Sequence, residues 1–310
     1  MDSQTTVLKP KRNLWRDIKR HRSIYLLLLI PMAYFIIFKY IPIWKGQIAF
    51  KNFMPRKGVL GSEWVGLANF QEFFHSFYFW ELLRNTIMYS VGKLLISVPL
   101  SIILAVSLYE CRMKVLRKTV QTLTYLPHFL SWVIMYGILL VLLAPGDGLL
   151  NDAIKAFGGK GIDFLTNVKA FPWVVLLSDA WKEMGWGAII FIAALMGIDP
   201  TLFEAAMVEG SSALQRVRYI TLPSIRPVII MVVLLRLGTI LSGGFNQLYM
   251  LYSPSVYSVG DIIDTWVFRG LQEGKFALAT AVGLFKGVMG LILVIVSNRA
   301  TKRISGSSLY

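Results

Sequence analysis

The sequence predicts an all-α integral membrane protein with six transmembrane helices, and three observations carry that prediction. Of its 310 residues, 55% are apolar or aromatic and 16% are charged, against about 25% charged in an ordinary soluble domain. Mean hydropathy is +0.59, and a soluble chain of this length needs more polar surface than that. Six segments approach the ~20 apolar residues that cross a bilayer. Lys and Arg, finally, crowd into alternate connections between those segments, the bias that orients a chain in a membrane.

The first span is expected over residues 24–44, behind a basic arm (1–23) that holds Lys9, Lys11, Arg12, Arg16, Lys19, Arg20 and Arg22. A cleavable signal also begins with basic residues. Here the apolar run continues to about Tyr40 with no small-residue cleavage site, so the segment is expected to be retained. The second span covers about 83–108 and the third 120–144, joined by a loop with Arg112, Lys114, Arg117 and Lys118. The fourth covers 171–196, the fifth 228–251 and the sixth 276–297, followed by a tail at 299–310 with Arg299, Lys302 and Arg303. Both termini and the loop at 197–226 are therefore expected on the cytoplasmic side. The opposite connections carry fewer cations, partly offset by Asp147, Asp163, Asp261 and Asp264.

Other features narrow the class. The lone Cys111 excludes an internal disulfide. A net charge of +15 suggests nucleic acid in a soluble protein, but here it is divided among short loops with no recognition module. The first external loop is rich in aromatics from Phe50 to Trp80, suited to the membrane interface. Residues 148–158 show helical apolar spacing, consistent with a short external helix. His21, His75 and His128 lie in separate segments without ligand spacing, so no metal site is expected; His128, after Pro127, is read as a helix-packing residue. No G-x-S-x-G nucleophile motif and no P-loop is present, and Gly158-Gly159-Lys160-Gly161 lacks the required spacing. No catalytic residue is assigned.

The most informative stretch is the loop from Gly197 to Pro223. Asp199 suits an N-cap and Pro200 the first helical position. Thr201 to Glu209 favours helix, and Gly210 suits a left-handed residue that ends it. Ser211 or Ser212 is placed to cap a second short helix, Ala213 to Tyr219, with Pro223 and Pro227 marking the return to the membrane. Leu202, Phe203, Ala206 and Met207 fall near one face. Such a face needs a cover, either a partner's surface or this chain's own helix ends, and the residues alone leave both open.

Glu204-Ala205-Ala206, then Gly210, then Ile220-Thr221-Leu222-Pro223, lying before the fifth of six spans, resembles the EAA motif of ABC importer permeases. The basic arm, Gly66-Leu67-Ala68-Asn69-Phe70 and Tyr125-Leu126-Pro127 look like the sugar and oligosaccharide branch, the maltose-type family, although the first external loop has no inserted domain. The resemblance implies the type I importer permease fold with a cytoplasmic coupling helix docked on an ATP-binding subunit. On it, Glu204 makes the polar contact, Ala205 and Ala206 permit close approach, Gly210 sets the bend, and Leu202 and Phe203 anchor. It also implies a second, unlike permease, two ATP-binding subunits that hold ATP and Mg, and an extracellular solute-binding protein. No cofactor is expected in this chain.

Charged residues within spans are costly and usually face a cavity. Lys93, Lys182, Glu183, Arg236 and Lys286 qualify; Lys182 and Glu183, being adjacent, are expected to point to different sides of their helix. Trp181 and Trp186 flank that pair, and the fifth span offers Gly243-Gly244-Phe245-Asn246-Gln247 and Tyr249. Aromatic faces with amides and charges suit a saccharide, and the excess of cations suits an acidic one such as a uronate oligomer. The same groups also serve to join helices or to pair with a partner's acids. An ion-coupled secondary carrier, another nutrient class and a membrane-embedded enzyme are the competing readings.

Overall fold

The computed structural model describes residues 19, 21–237, 241 and 243–305; the basic arm before Lys19 and the end of the tail lie outside them. Among the described residues the regular structure is helical apart from one two-stranded ribbon, Lys51–Asn52 against Glu63–Trp64. Helix α1 spans Arg22–Phe50. Helices α2 (Ala68–Phe74), α3 (Phe79–Glu110), α4 (Lys114–Phe129), α5 (Trp132–Leu143), α6 (Leu149–Ala156), α7 (Phe171–Leu195) and α8 (Pro200–Val208) follow. The chain closes with α9 (Ala213–Leu237), α10 (Phe245–Leu251), α11 (Ile263–Gln272) and α12 (Phe276–Ser305). Among the described residues, four helices, α1, α3, α9 and α12, are each long and apolar enough to cross a membrane; α4 with α5, and α7 with α8, qualify only as bent pairs.

The core is built on α3 against α7, the largest helix contact in the chain, with α4 laid along α7. One apolar cluster (Tyr89, Val175, Leu248, Ile262) fills one end and a second (Val98, Ala188, Phe191, Ile225) fills the end nearer α8. A third gathers Phe73 of the aromatic loop with Leu82, Ile263 and Val282. The aromatic-rich loop is thus divided. Phe73 is buried against Phe79, Trp266 and Phe285 at 5.2–5.8 Å, while Phe77 and Trp80 remain exposed. The outward faces of the spans are apolar, as a lipid-facing surface requires.

Three expectations are corrected. The third span is not continuous: α4 and α5 meet at 113° across Leu130 and Ser131, where Ser131 Oγ accepts from Ile134 N–H and restarts the helix. The fifth span does not run from 228 to 251. Helix α9 is described as far as Leu237, and Gly243 and Gly244 adopt left-handed backbone (φ 54° and 85°) before α10 begins. The second loop helix, expected as a separate unit over 213–219, runs instead into the membrane span through a widened π turn at Val217–Thr221. Pro223 explains the turn, because it offers no N–H and its ring clashes with the carbonyl four residues back, Tyr219. Pro42 stands in the same relation to the π turn Ile36–Tyr40 in α1.

Candidate functional site

Helix α8 lies across one end of the bundle and is closed at both ends by its own sequence. Asp199 Oδ1 accepts from Thr201 N–H at 2.9 Å, and that bond holds the Asp199 carboxyl below the usual carboxylate range. Gly210 (φ 80°) turns the chain, which brings Ser211 N–H to the Ala206 carbonyl at 3.0 Å. Ser212 and Gln215 then form a reciprocal capping box that opens α9. The apolar face is split. Phe203 turns inward and meets Tyr109 at 6.5 Å within the core cluster, and Ala206 is half-buried beside it. Leu202, Glu204, Ala205, Met207 and Val208 are exposed. This chain's own helix ends thus cover Phe203 and part of Ala206, and the rest of the face is exposed.

At the centre, α3, α7 and α10 are joined by a chain of polar contacts. Lys93 Nζ lies 3.2 Å from Asp179 Oδ1 and donates to Gln247 Oε1 at 2.5 Å. Gln247 Nε2 donates to the Val175 carbonyl at 2.7 Å and to Ser178 Oγ at 2.9 Å. Gln247 is fully buried, so this candidate path residue fastens α10 to α7. Asp179, the counter-charge to Lys93, was missed in the sequence. It sits four residues before Glu183, and that spacing on one helix face was the available signal.

Lys182 and Glu183 do not diverge; both reach the break between α4 and α5. Lys182, 5% exposed, donates to the carbonyls of Pro127 (3.0 Å), His128 (2.6 Å) and Leu130 (2.7 Å). Glu183 Oε2 lies 3.1 Å from His128 Nδ1, and the His128 ring stacks on Trp186 at 4.5 Å with an interplanar angle of 1°. The 113° turn wraps its carbonyls and imidazole around α7, so two adjacent side chains find partners in one bend. Trp181 points elsewhere, into an apolar cavity lined by Leu139, Phe164 and Trp173. Arg236 of α9 approaches Gly187 of α7.

A cleft of about 520 Å³ opens between α5, α10 and α11, lined by Trp132, Phe245, Asn246, Asp264, Val267 and Phe268. Phe245 stacks on Tyr249 at 5.4 Å, and Tyr249 meets Phe268 edge-on at 4.9 Å. Asn246 is exposed, and both Asp264 oxygens accept from Lys286 at 2.6 Å. The cleft offers aromatic faces, an amide and a matched ion pair, a lining suited to a polar ring with apolar faces. Trp132, Asp264 and Phe268 were not singled out as site residues: Trp132 reads as one more apolar position of the third span, while 263–272 reads as an external connection and only the fold tucks it into the bundle. Gly244 closes the cleft's inner wall: a Cβ there falls 2.0 Å from Lys93 Nζ on backbone with φ 85°. Gly244→Ala is expected to displace Lys93 from Gln247 and Asp179 and cut substrate uptake at least tenfold. Uptake by membrane vesicles, normalised to the inserted protein, checks this.

The comparisons with known proteins bear on this arrangement. Residues 97–306 match the family described as binding-protein-dependent transport system inner membrane component. The chain belongs to that family. This inner membrane component is 42% identical over 303 residues to the polygalacturonan/rhamnogalacturonan transport system permease protein YteP of Bacillus subtilis, covering 97% of this chain and 94% of that one. It is 41% identical over 294 residues to protein LplB of the same organism, covering 94% and 92%. Among solved structures, it superposes with a TM-score of 0.88 at 38% identity on a chain of a bacterial ABC transporter that imports the acidic polysaccharide alginate, covering 95% of this chain and 100% of that one. A second structure, the bacterial alginate transporter in complex with its alginate pentasaccharide-bound periplasmic protein, matches with a TM-score of 0.88 at 37% identity, over 96% and 100%. The family match takes in the second half of α3, the bend, α8 and the cleft. The component's α1 and its ribbon lie before it.

Proposed function

We propose that this component is one transmembrane subunit of an ATP-driven importer that moves an acidic oligosaccharide delivered by an extracytoplasmic solute-binding protein. The observation that carries the substrate class is the joint likeness to a polygalacturonan/rhamnogalacturonan permease and to the alginate importer. Polygalacturonan and alginate are both chains of uronic acids. The cleft between α5, α10 and α11 is half of the path and faces a second, unlike permease. There the sugar rings stack on Trp132, Phe245 and Phe268, Asn246 hydrogen-bonds hydroxyls, and a uronate carboxylate exchanges for Asp264 at Lys286. The cleft's cation, Lys286, is already paired with Asp264, so an acidic substrate binds there by exchange and not by filling a vacant charge.

At the other end, α8 is the coupling helix. Leu202, Glu204 and Ala205 meet the ATP-binding subunit, while Phe203 and Ala206 tie the helix to this chain's own core, so movement of α8 drags the bundle. ATP and Mg are held by that partner, which matches the lack of a P-loop here. The Lys and Arg bias places α8 and both termini on the cytoplasmic side of the cytoplasmic membrane.

The test is uptake by proteoliposomes that contain the whole transporter and its binding protein. ATP-dependent uptake of oligogalacturonates is expected at least tenfold above that of neutral oligosaccharides of equal length. Uptake of neutral sugars alone refutes the acidic class. Uptake driven by an ion gradient without ATP refutes the importer.

A further inference from the structure

A second cleft, of about 320 Å³, lies on the other side of α11. It sits at the end of the bundle remote from α8. Glu81, on its wall, is in the first turn of α3, whereas Tyr109, in the last, packs on Phe203 of α8. The 32 residues of α3 hold those ends about 48 Å apart at 1.5 Å per residue. If α8 is cytoplasmic, the cleft faces outward; the inference rests on that part of the proposed function.

Three aromatic residues, Tyr78, Tyr257 and Trp266, line it together with Glu81, Asp261 and Arg269. Most of its charge is matched internally. Both terminal nitrogens of Arg269 donate to Asp261, Nη1 to Oδ1 at 3.0 Å, and Thr265 Oγ1 donates to the same carboxylate at 2.5 Å. The guanidinium lies 4.4 Å above the Tyr257 ring. On the rim, Lys275 and Glu273 pair at 2.7 Å. Glu81 differs: among the described residues it makes no hydrogen bond and no ion pair, and its electrostatic neighbours are Arg84 and Asp261. Arg84 is committed to Asn85 Oδ1 and to the Ser258 carbonyl. The cleft therefore presents, among aromatic rings, one carboxylate whose oxygens accept no hydrogen bond and whose cationic neighbour, Arg84, gives its own hydrogen bonds to neutral acceptors, a combination that suits a hydrogen-bond-donating cation.

We propose that this cleft receives a Lys or Arg side chain of the solute-binding protein as it docks on the outer face. An acidic saccharide is repelled by Glu81, so the occupant is a protein side chain and not the cargo. Charge recognition of this kind sets partner choice and encounter rate.

The experiment measures the Kd of the solute-binding protein for the complete transporter in lipid nanodiscs, together with the ATPase stimulation that docking produces. Glu81→Gln is expected to raise Kd about tenfold and Glu81→Lys more, with Glu81→Asp close to wild type. Replacing one Lys or Arg of the binding protein with Glu restores docking to the Glu81→Lys transporter. On the wild-type protein, added arginine amide competes with docking, a readout that needs no variant. Unchanged Kd in both Glu81→Gln and Glu81→Lys, or indifference to arginine amide, overturns the proposal. So does unchanged docking with weakened binding of a free uronate trisaccharide, which makes the cleft a saccharide site. A wild-type transporter that no binding protein stimulates refutes instead the importer reading beneath it.

Discussion

Replacing Lys182 with Met is expected to unfold the bend between α4 and α5 and abolish transport. The Lys182 ammonium is buried and donates to three main-chain carbonyls, those of Pro127, His128 and Leu130. Methionine fills similar space and removes the desolvation cost of the charge, but the acceptors stay behind. Pro127 retains the Leu130 N–H as a partner; His128 and Leu130 lose a strong donor at a helix end, where carbonyls have no intrahelical partner. Each stranded buried acceptor costs about 1–3 kcal/mol, and more where no water reaches it, so the loss is roughly 3 kcal/mol or above. The His128–Trp186 stack and the His128–Glu183 contact depend on the same bend and fail with it. The expected measurement is a thermal midpoint in detergent lowered by several degrees together with uptake at background. Lys182→Arg, which keeps the charge but spreads it over a planar fork, should fall between the two. A wild-type midpoint for Lys182→Met would show that the bend is held without the ammonium.

Reversing the charge of Glu204 is expected to stop transport without harming the fold. Glu204 is exposed on α8 and has no partner among the described residues, so Glu204→Lys leaves the chain's own contacts intact. If α8 docks on an ATP-binding subunit, the new cation meets that subunit where a carboxylate belongs, and like-charge or unpaired contacts at an interface cost several kcal/mol. ATP-driven uptake should fall at least tenfold, and the binding protein should no longer stimulate the ATPase, while membrane insertion and the thermal midpoint stay at wild type. Gly210→Pro should uncouple by a different route. Gly210 holds φ at 80° and donates its N–H to the Met207 carbonyl at 3.1 Å; proline fixes φ near about −65° and has no N–H. Normal import by both variants would refute the docking assignment.

How far the fold could be read in advance differs by element. The starts of α1, α3, α7 and α12 lie within four residues of the expected spans, since each is a long apolar run that must satisfy its backbone internally, but α1 and α12 run on six and eight residues past their expected ends. The caps of α8 were equally plain, Asp199 with Pro200 at its start and Gly210 at its end, whereas the sequence left the next helix's cap between Ser211 and Ser212 and the structure shows Ser212. Gly243 and Gly244 stood inside the expected fifth span, but that the chain breaks there, and that α10 is then fastened by Gln247, was not legible.

The sequence by itself determined that this chain carries several segments long and apolar enough to cross a membrane, and that a capped helix stands after the fourth of them. Those properties are sums over neighbours in the chain, such as apolar runs, proline positions and side chains that bond to backbone two or three residues away. Only the tertiary structure decided the charge pairs Lys93–Asp179 and Lys286–Asp264, the break in the third span and the entry of α11 into the cleft wall. In each of these, one partner is supplied by a distant helix. Where Leu130 and Ser131 turn through 113°, Lys182, on another helix, brings an ammonium to the carbonyls of Pro127, His128 and Leu130.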